Sequence, residues 1–299
     1  MTVYLILGHR DPVQINLLIE TLSPSKIILH VDKKSHLRKK ISLIESRSNL
    51  TIIDSKSSIS VKWAGFSQVQ AMWLLIDEAL RILTPKEKIV FLSGSDFPIK
   101  SMIEINDFLE RSIHTEYMRY FFLDEREKDR NRWQNYHRWD WRVFKTQKGI
   151  LYRLNSFFIR ICSFLETTVR GKKSTLNAPL ACGSQWFAIS RECIVELKEL
   201  RSQEFDSFFQ TTFAPDELYF ATLYSQSSYA KKNIDNGEFV PNLEVSRIWQ
   251  ASNLSYVDES FNRYLEISDL LQLSKSKYLF ARKFDSQISR EILDKLIQP

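Results

Sequence analysis

Short, uninterrupted apolar runs alternate with stretches of helical periodicity through the first third of the chain. Val3 to Leu7 is such a run; it ends in Gly8-His9 and reads as a buried strand that stops at a turn. From Pro12 to Leu22, Val13, Leu17, Leu18 and Thr21 recur at helical spacing. Ile27-Ile28-Leu29-His30-Val31-Asp32 predicts a second buried strand, closed by an aspartate and followed by Lys33-Lys34, and Leu50-Thr51-Ile52-Ile53 predicts a third. Ser67 to Leu83 predicts a long helix, because Val69, Met72, Trp73, Ile76, Ala79, Leu80 and Leu83 fall on one face. Lys88 to Leu92 is a fourth strand, running into Ser93-Gly94-Ser95-Asp96-Phe97-Pro98. Alternation of this kind predicts an α/β fold with a mostly parallel central sheet flanked by helices. Ligands of such sheets bind beyond the carboxyl ends of the strands, which gathers His9, Asp32 and Asp96 around one crevice.

The pattern loosens from Glu116 to Lys173, where Arg130, Arg132, Trp133, Tyr136, His137, Arg138, Trp139, Trp141 and Arg142 interleave charge with aromatic rings. Such a mixture can bind single-stranded nucleic acid, stack on sugars, or form a solvated loop anchored by its aromatics. Leu151 to Val169 predicts an amphipathic helix flanked by Lys145, Lys148, Arg170, Lys172 and Lys173. It suits an anionic membrane surface, although packing against the core is the commoner fate. Gly183 to Arg191 reads as a turn, a strand and a helix start; Phe239 to Trp249 reads as extended, and an amphipathic helix ends at Ile297. Pro215-Asp216-Glu217 precedes the apolar run Leu218 to Leu223. Proline fits the first turn of a helix, and carboxylates there meet the positive end of the helix dipole. An ionised carboxylate in a pocket is what a general base needs to be; plain helix-start charges are the bland alternative.

Composition changes this picture only at its edges. Over 299 residues, 43% hydrophobic and 26% charged content describes a globular chain with a substantial core. Seven glycines and eight prolines leave little linker material, which favours one continuous domain. A net charge of +6 suits an anionic partner: nucleic acid, an acidic membrane surface or a phosphorylated substrate. Cys162, Cys182 and Cys193 show no metal-type spacing, so reduced thiols in a cytosol-like compartment are expected. The start lacks a basic n-region, and no apolar run approaches the ~20 residues that span a bilayer. The expected location is therefore cytoplasmic, with peripheral contact on the inner membrane face left open. Neither the dinucleotide glycine fingerprint nor the phosphate-loop motif is present, so the crevice is not an obvious nicotinamide or ATP site. There is also no Asp-x-Asp, which argues against a diphosphate bridged by a hard divalent ion.

Seven segments then line up: Tyr4 to His9, Ile28 to Ser35, Val61-Lys62-Trp63-Ala64-Gly65-Phe66-Ser67, Leu92 to Ser101, Gly183-Ser184-Gln185-Trp186-Phe187, Pro215-Asp216-Glu217 and Phe280-Ala281-Arg282-Lys283-Phe284. In content and order the chain resembles the core-2/I-branching β-1,6-N-acetylglucosaminyltransferase family, which also contains the peptide-O-xylosyltransferases. The resemblance implies a GT-A-like glycosyltransferase fold and a single domain over 1–299, with a nucleotide-binding half at 1–112 and an acceptor and catalytic half at 113–299. It implies inverting transfer from a UDP-sugar to a hydroxyl of a glycan acceptor, without a metal or other cofactor. GlcNAc is the first expectation for the sugar, xylose or galactose the alternatives. Glu217 is then the catalytic base. His9, Asp32, Trp63, Asp96, Arg263, Arg282 and Lys283 are implied to bind the UDP-sugar, with Ser67 nearby. Arg132, Trp133, Trp186, Asp216 and Trp249 are implied on the acceptor side. The sequence departs from the family pattern at Ala251, where an aromatic is usual, and in lacking the cysteines, membrane anchor and stem of secreted members. These departures suggest a bacterial-type enzyme of surface polysaccharide biosynthesis acting on a lipid-linked acceptor. On this reading nucleic acid is not a partner; a basic nucleic-acid-binding module is the rival.

Overall fold

The computed structural model describes residues 2–123, 133–141, 149–173, 176–232, 253–260 and 263–297. Its strands are β1 (Thr2–Gly8), β2 (Lys26–Val31), β3 (Leu50–Ile52), β4 (Lys88–Ser93), β5 (Asp96–Pro98), β6 (Tyr120–Phe122), β7 (Ala181–Gly183), β8 (Ala188–Ser190), β9 (Ser255–Val257) and β10 (Phe280–Arg282). Its helices are α1 (Pro12–Leu22), α2 (His36–Lys39), α3 (Ser67–Ile82), α4 (Met102–Arg111), α5 (Ile150–Arg170), α6 (Arg191–Leu200), α7 (Gln203–Phe209), α8 (Tyr219–Gln226), α9 (Ser228–Lys232), α10 (Leu270–Ser274) and α11 (Arg290–Ile297).

β1 is buried along its whole length because it runs through the middle of a five-stranded sheet of order β3-β2-β1-β4-β8. β2 and β4 flank it in parallel, β3 extends β2 in parallel, and β8 closes the far edge antiparallel to β4. The mostly parallel α/β sheet expected from the sequence is the observed one. Alternate residues of β1 serve opposite faces of this sheet. Val3, Leu5 and Leu7 join a core with Val69, Met72, Trp73 and Ile76 of α3, while Tyr4 and Ile6 join one with Ile15, Leu18 and Ile19 of α1. Local chemistry sets the helix starts. Asp11 accepts a hydrogen bond from the Gln14 N–H at 3.1 Å ahead of Pro12, and Ser101 with Glu104 forms a reciprocal capping box on α4.

Register brings the chemistry together. Gly8 pairs with Val31 and Leu7 with Ser93, so the residues that follow β1, β2 and β4 leave the sheet at one level. A smaller sheet, β5-β10-β9, folds over that end, and its antiparallel register sets Arg282 opposite Asp96. Residues from the end of the chain are thus carried to the strand ends of its beginning.

Two elements depart from expectation. The Pro215 segment does not open an α-helix directly: Pro215–Glu217 is a 3-10 turn, Leu218 breaks the run at φ −113, and α8 starts at Tyr219. The cause is the anchor just before it, where Ala214 sits at φ 48 and donates its N–H to the Ala64 carbonyl at 3.1 Å. α5 is helical as expected, yet it does not pack by its apolar side: the positions it buries are Asn155, Ser156, Ile159 and Ser163. The extended segment expected at 239–249 lies outside the described residues.

Candidate active site

Asp96 is the fixed point of the crevice. Its side chain has no solvent exposure; Oδ2 accepts the Ser93 N–H at 2.8 Å, and Oδ1 lies 3.4 Å from the Arg282 Nε. Burial pushes the Asp96 carboxyl up, and the Arg282 charge opposes that rise. Arg282 in turn lays its guanidinium over the Trp186 indole, 4.3 Å from the ring centroid. Trp186 is held from behind by Asn253, whose Nδ2 donates to its carbonyl at 3.0 Å. Burial lowers the Arg282 pKa, but a guanidinium remains protonated in a protein.

Three further groups surround this pair. Burial lowers the Lys283 pKa, and the neighbouring charges of Arg282 and Arg10 lower it further. Crowding by protein also lowers the His9 pKa; Arg10, Lys283 and Arg282 push in the same direction, and Asp32 opposes them. His9 is itself exposed, at the crevice mouth. Asp32 follows β2, where its carboxylate accepts the Lys34 N–H at 3.0 Å and its own N–H donates to the Gly8 carbonyl at 3.0 Å. Arg10 lies over the Tyr264 ring at 5.2 Å. Arg10, Arg282 and Lys283 therefore crowd one crevice, and the first two make protonation of the third more costly. That arrangement is suited to an anion, because bound negative charge would relieve it.

A second wall carries Glu217. Phe213, just ahead of Ala214, packs its ring against Trp63 and Trp139 at centroid distances of 5.9 and 5.4 Å. Trp63 also meets Trp139 edge-on at 6.0 Å, while 56% of its surface remains open to solvent. The Trp63 loop is locked by Asp140, whose carboxylate accepts from Ser67 Oγ at 2.6 Å and covers the N-terminus of α3. Gly65 is glycine for a local reason: a Cβ there would fall 2.7 Å from Asp140 Cγ. The two walls are joined at Gln68, which donates to Gln185 Oε1 at 3.1 Å, one residue before Trp186.

The structure thus brings His9, Asp32, Asp96, Trp186, Arg282 and Lys283 into one crevice, with Trp63, Ser67, Asp216 and Glu217 on the wall joined to it. Arg263 is committed elsewhere. Its guanidinium spans Asp269 with two bonds of 2.7 and 2.8 Å and binds Asp258 at 2.8 Å, so its charge is spent inside the fold. Asp96 is a scaffold group, not a surface one. Trp133 is 3% exposed and packs in the core around α3, so it supports the site instead of lining it. Arg132 and Trp249 lie outside the described residues. Sequence reasoning passed over Asp140, Arg10 and Phe213. A signal for Asp140 was available in Gly65, a glycine inside an otherwise bulky loop.

Comparison with known proteins bears on this geometry. The family model described as Core-2/I-Branching enzyme matches residues 2–258. A xylosyltransferase of Ciona intestinalis is 24% identical over 277 residues, covering 90% of this chain and 30% of its own. The xylosyltransferase oxt of Drosophila melanogaster is 25% identical over 304 residues, covering 97% of this chain and 32% of its own. That of Drosophila pseudoobscura pseudoobscura is 23% identical, covering 89% and 29%. The chain spans about a third of the length of these curated relatives.

Proposed function

Because the chain belongs to the Core-2/I-branching enzyme family, a family of glycosyltransferases, we propose that it moves a sugar from a UDP-sugar to a hydroxyl of a glycan acceptor with inversion at the anomeric carbon. The observation that carries the reading is the convergence of Arg10, Arg282 and Lys283 on one crevice. These cations neutralise the diphosphate in place of a metal ion, and charge-assisted bonds from guanidinium to phosphate are among the stronger ones available. Asp32 and His9 face the nucleoside side.

Glu217 removes the proton of the acceptor hydroxyl as its oxygen attacks the anomeric carbon from the face opposite UDP. The carbon–oxygen bond to the β-phosphate breaks, and UDP departs with the electron pair. Trp63 offers the acceptor an exposed aromatic face, and Asp216 helps position it. GlcNAc remains the first donor sugar to test, with galactose an alternative. Xylose has a specific argument, because the three relatives above are named xylosyltransferases. The acceptor proposed is a lipid-linked glycan of surface polysaccharide biosynthesis.

A thermal-shift series with UDP, UDP-GlcNAc, UDP-xylose and UDP-galactose, run with excess EDTA, tests the reading. UDP at about a hundred times its dissociation constant should stabilise the protein by about 2.7 kcal/mol, a rise of roughly 4 °C for a chain of this length. Transfer should persist in EDTA, and its complete loss would overturn the metal-free part. No shift with UDP, together with salt-sensitive binding of oligonucleotide, would favour the nucleic-acid rival.

A further inference from the structure

α5 presents its apolar side outward. Of the four positions it buries, Asn155, Ser156 and Ser163 are polar and only Ile159 is apolar. Ile150, Leu154, Phe157, Ile161, Phe164 and Leu165 recur every three or four residues and form one outward stripe, widened by Phe158. Phe157, Phe158 and Phe164 are 64%, 59% and 68% exposed. An ordinary surface helix is arranged the other way round. The orientation is fixed by the inward flank: Glu166 receives two bonds from Arg138, and Thr167 Oγ1 accepts the Tyr136 N–H at 3.1 Å.

The charges around the stripe say what it faces. Arg153 and Arg160 are exposed along one edge, and Arg170 and Lys172 stand exposed at its C-terminal end. Glu166 is the acidic residue of the helix, and it is neutralised by Arg138 and Arg170. Helix α5 has 21 residues, about 31 Å at the usual rise, and no helix among the described residues is long and apolar enough to cross a membrane. Apolar stripe, basic edge and outward orientation are together the pattern of a helix lying in a membrane interface. A second copy would bring the same arginines against their own kind, whereas an anionic surface complements them.

We infer that α5 docks this protein on an anionic lipid bilayer, with the phenylalanines in the headgroup–acyl boundary and Arg153 and Arg160 on lipid phosphates. A groove of about 510 Å³ opens beside the helix, lined by Tyr136, His137, Trp139, Arg160, Phe164 and Lys172. Trp139 lines it, and its ring meets Trp63 edge-on. Docking would therefore present this groove to an acceptor held in the membrane; that consequence rests on the glycosyltransferase reading, and the docking itself does not.

Flotation of the full chain with vesicles of phosphatidylcholine alone, or with a quarter phosphatidylglycerol, tests the inference, alongside sedimentation velocity without lipid. The protein should float with the anionic vesicles and release as salt rises. Phe157→Ser/Phe164→Ser should weaken this binding at least about tenfold. Arg153→Gln/Arg160→Gln should weaken it about 25-fold, near fivefold per arginine, and flatten the salt dependence. All four positions are exposed, so both variants should keep the wild-type melting temperature and any UDP-induced shift. Failure of the wild type to bind anionic vesicles at low salt overturns the inference, as does unchanged binding by both variants. A lipid-free dimer that the phenylalanine variant dissociates also overturns it, assigning the face to a second copy.

Discussion

Replacing Arg282 by leucine removes the cation beside a carboxylate that has no access to solvent. Breaking a buried pair by deleting one partner costs about 3 to 5 kcal/mol, because the other charge is left uncompensated. Asp96 keeps its bond from the Ser93 N–H at 2.8 Å, and its contact with Arg282 is a single one of 3.4 Å. Those distances put the cost at the lower end, about 3 kcal/mol, or a fall of roughly 5 °C in melting temperature. The effect should depend on pH with a definite sign. Burial already raises the Asp96 pKa, and loss of Arg282 raises it further. A carboxyl whose folded pKa is raised contributes stability fully present below its unfolded value of about 3.9, and this is lost as pH rises through the folded value. Urea melts should therefore show a small gap between Arg282→Leu and wild type near pH 5 and a larger one at pH 8. Adding Asp96→Asn should restore much of the loss at pH 8. A gap that ignores pH, or that Asp96→Asn leaves untouched, would refute the reasoning.

Gly65→Ala should cost about 1 to 3 kcal/mol, since its Cβ would collide with the Asp140 carboxylate. In an Asp140→Ala background the same change should cost far less, and additive losses in urea melts would contradict this. Burial pulls the Lys173 pKa down to about 7, so the folded state holds fewer protons than the unfolded one between there and the ordinary lysine range. Stability contributed at this site is present above the unfolded value and lost as pH falls through about 7. Between pH 7 and 9.5 the wild type should gain stability relative to Lys173→Met, and parallel pH profiles would refute the assignment.

β1, β2 and β4 were legible because strands buried on both faces read as plain apolar runs, and α1 and α3 each show one apolar face to them; β3, at the sheet edge, is half-exposed. β5, β9 and β10 were not legible, since each is only three residues long and their sheet is assembled from segments far apart in the chain. Periodicity marked α5 as amphipathic but could not say which way it faces; that is decided by Arg138, Glu166 and Thr167 on its inward flank. His9, Asp32 and Asp96 were readable as strand-end residues, and Arg282 and Lys283 through a family pattern. Asp140 was not, because its partner Ser67 lies 73 residues away in sequence. Arg263 misled for the opposite reason. Its acids, Asp258 and Asp269, sit five and six residues off, so a purely local ion cluster matched a ligand-binding arginine.

Glu217→Gln tests the central claim most directly, because the amide keeps the shape of the side chain and cannot take a proton. With the UDP-sugar that stabilises the wild type, transfer should fall by at least about a hundredfold while UDP binding changes little. Transfer by Glu217→Gln at close to the wild-type rate would contradict the account.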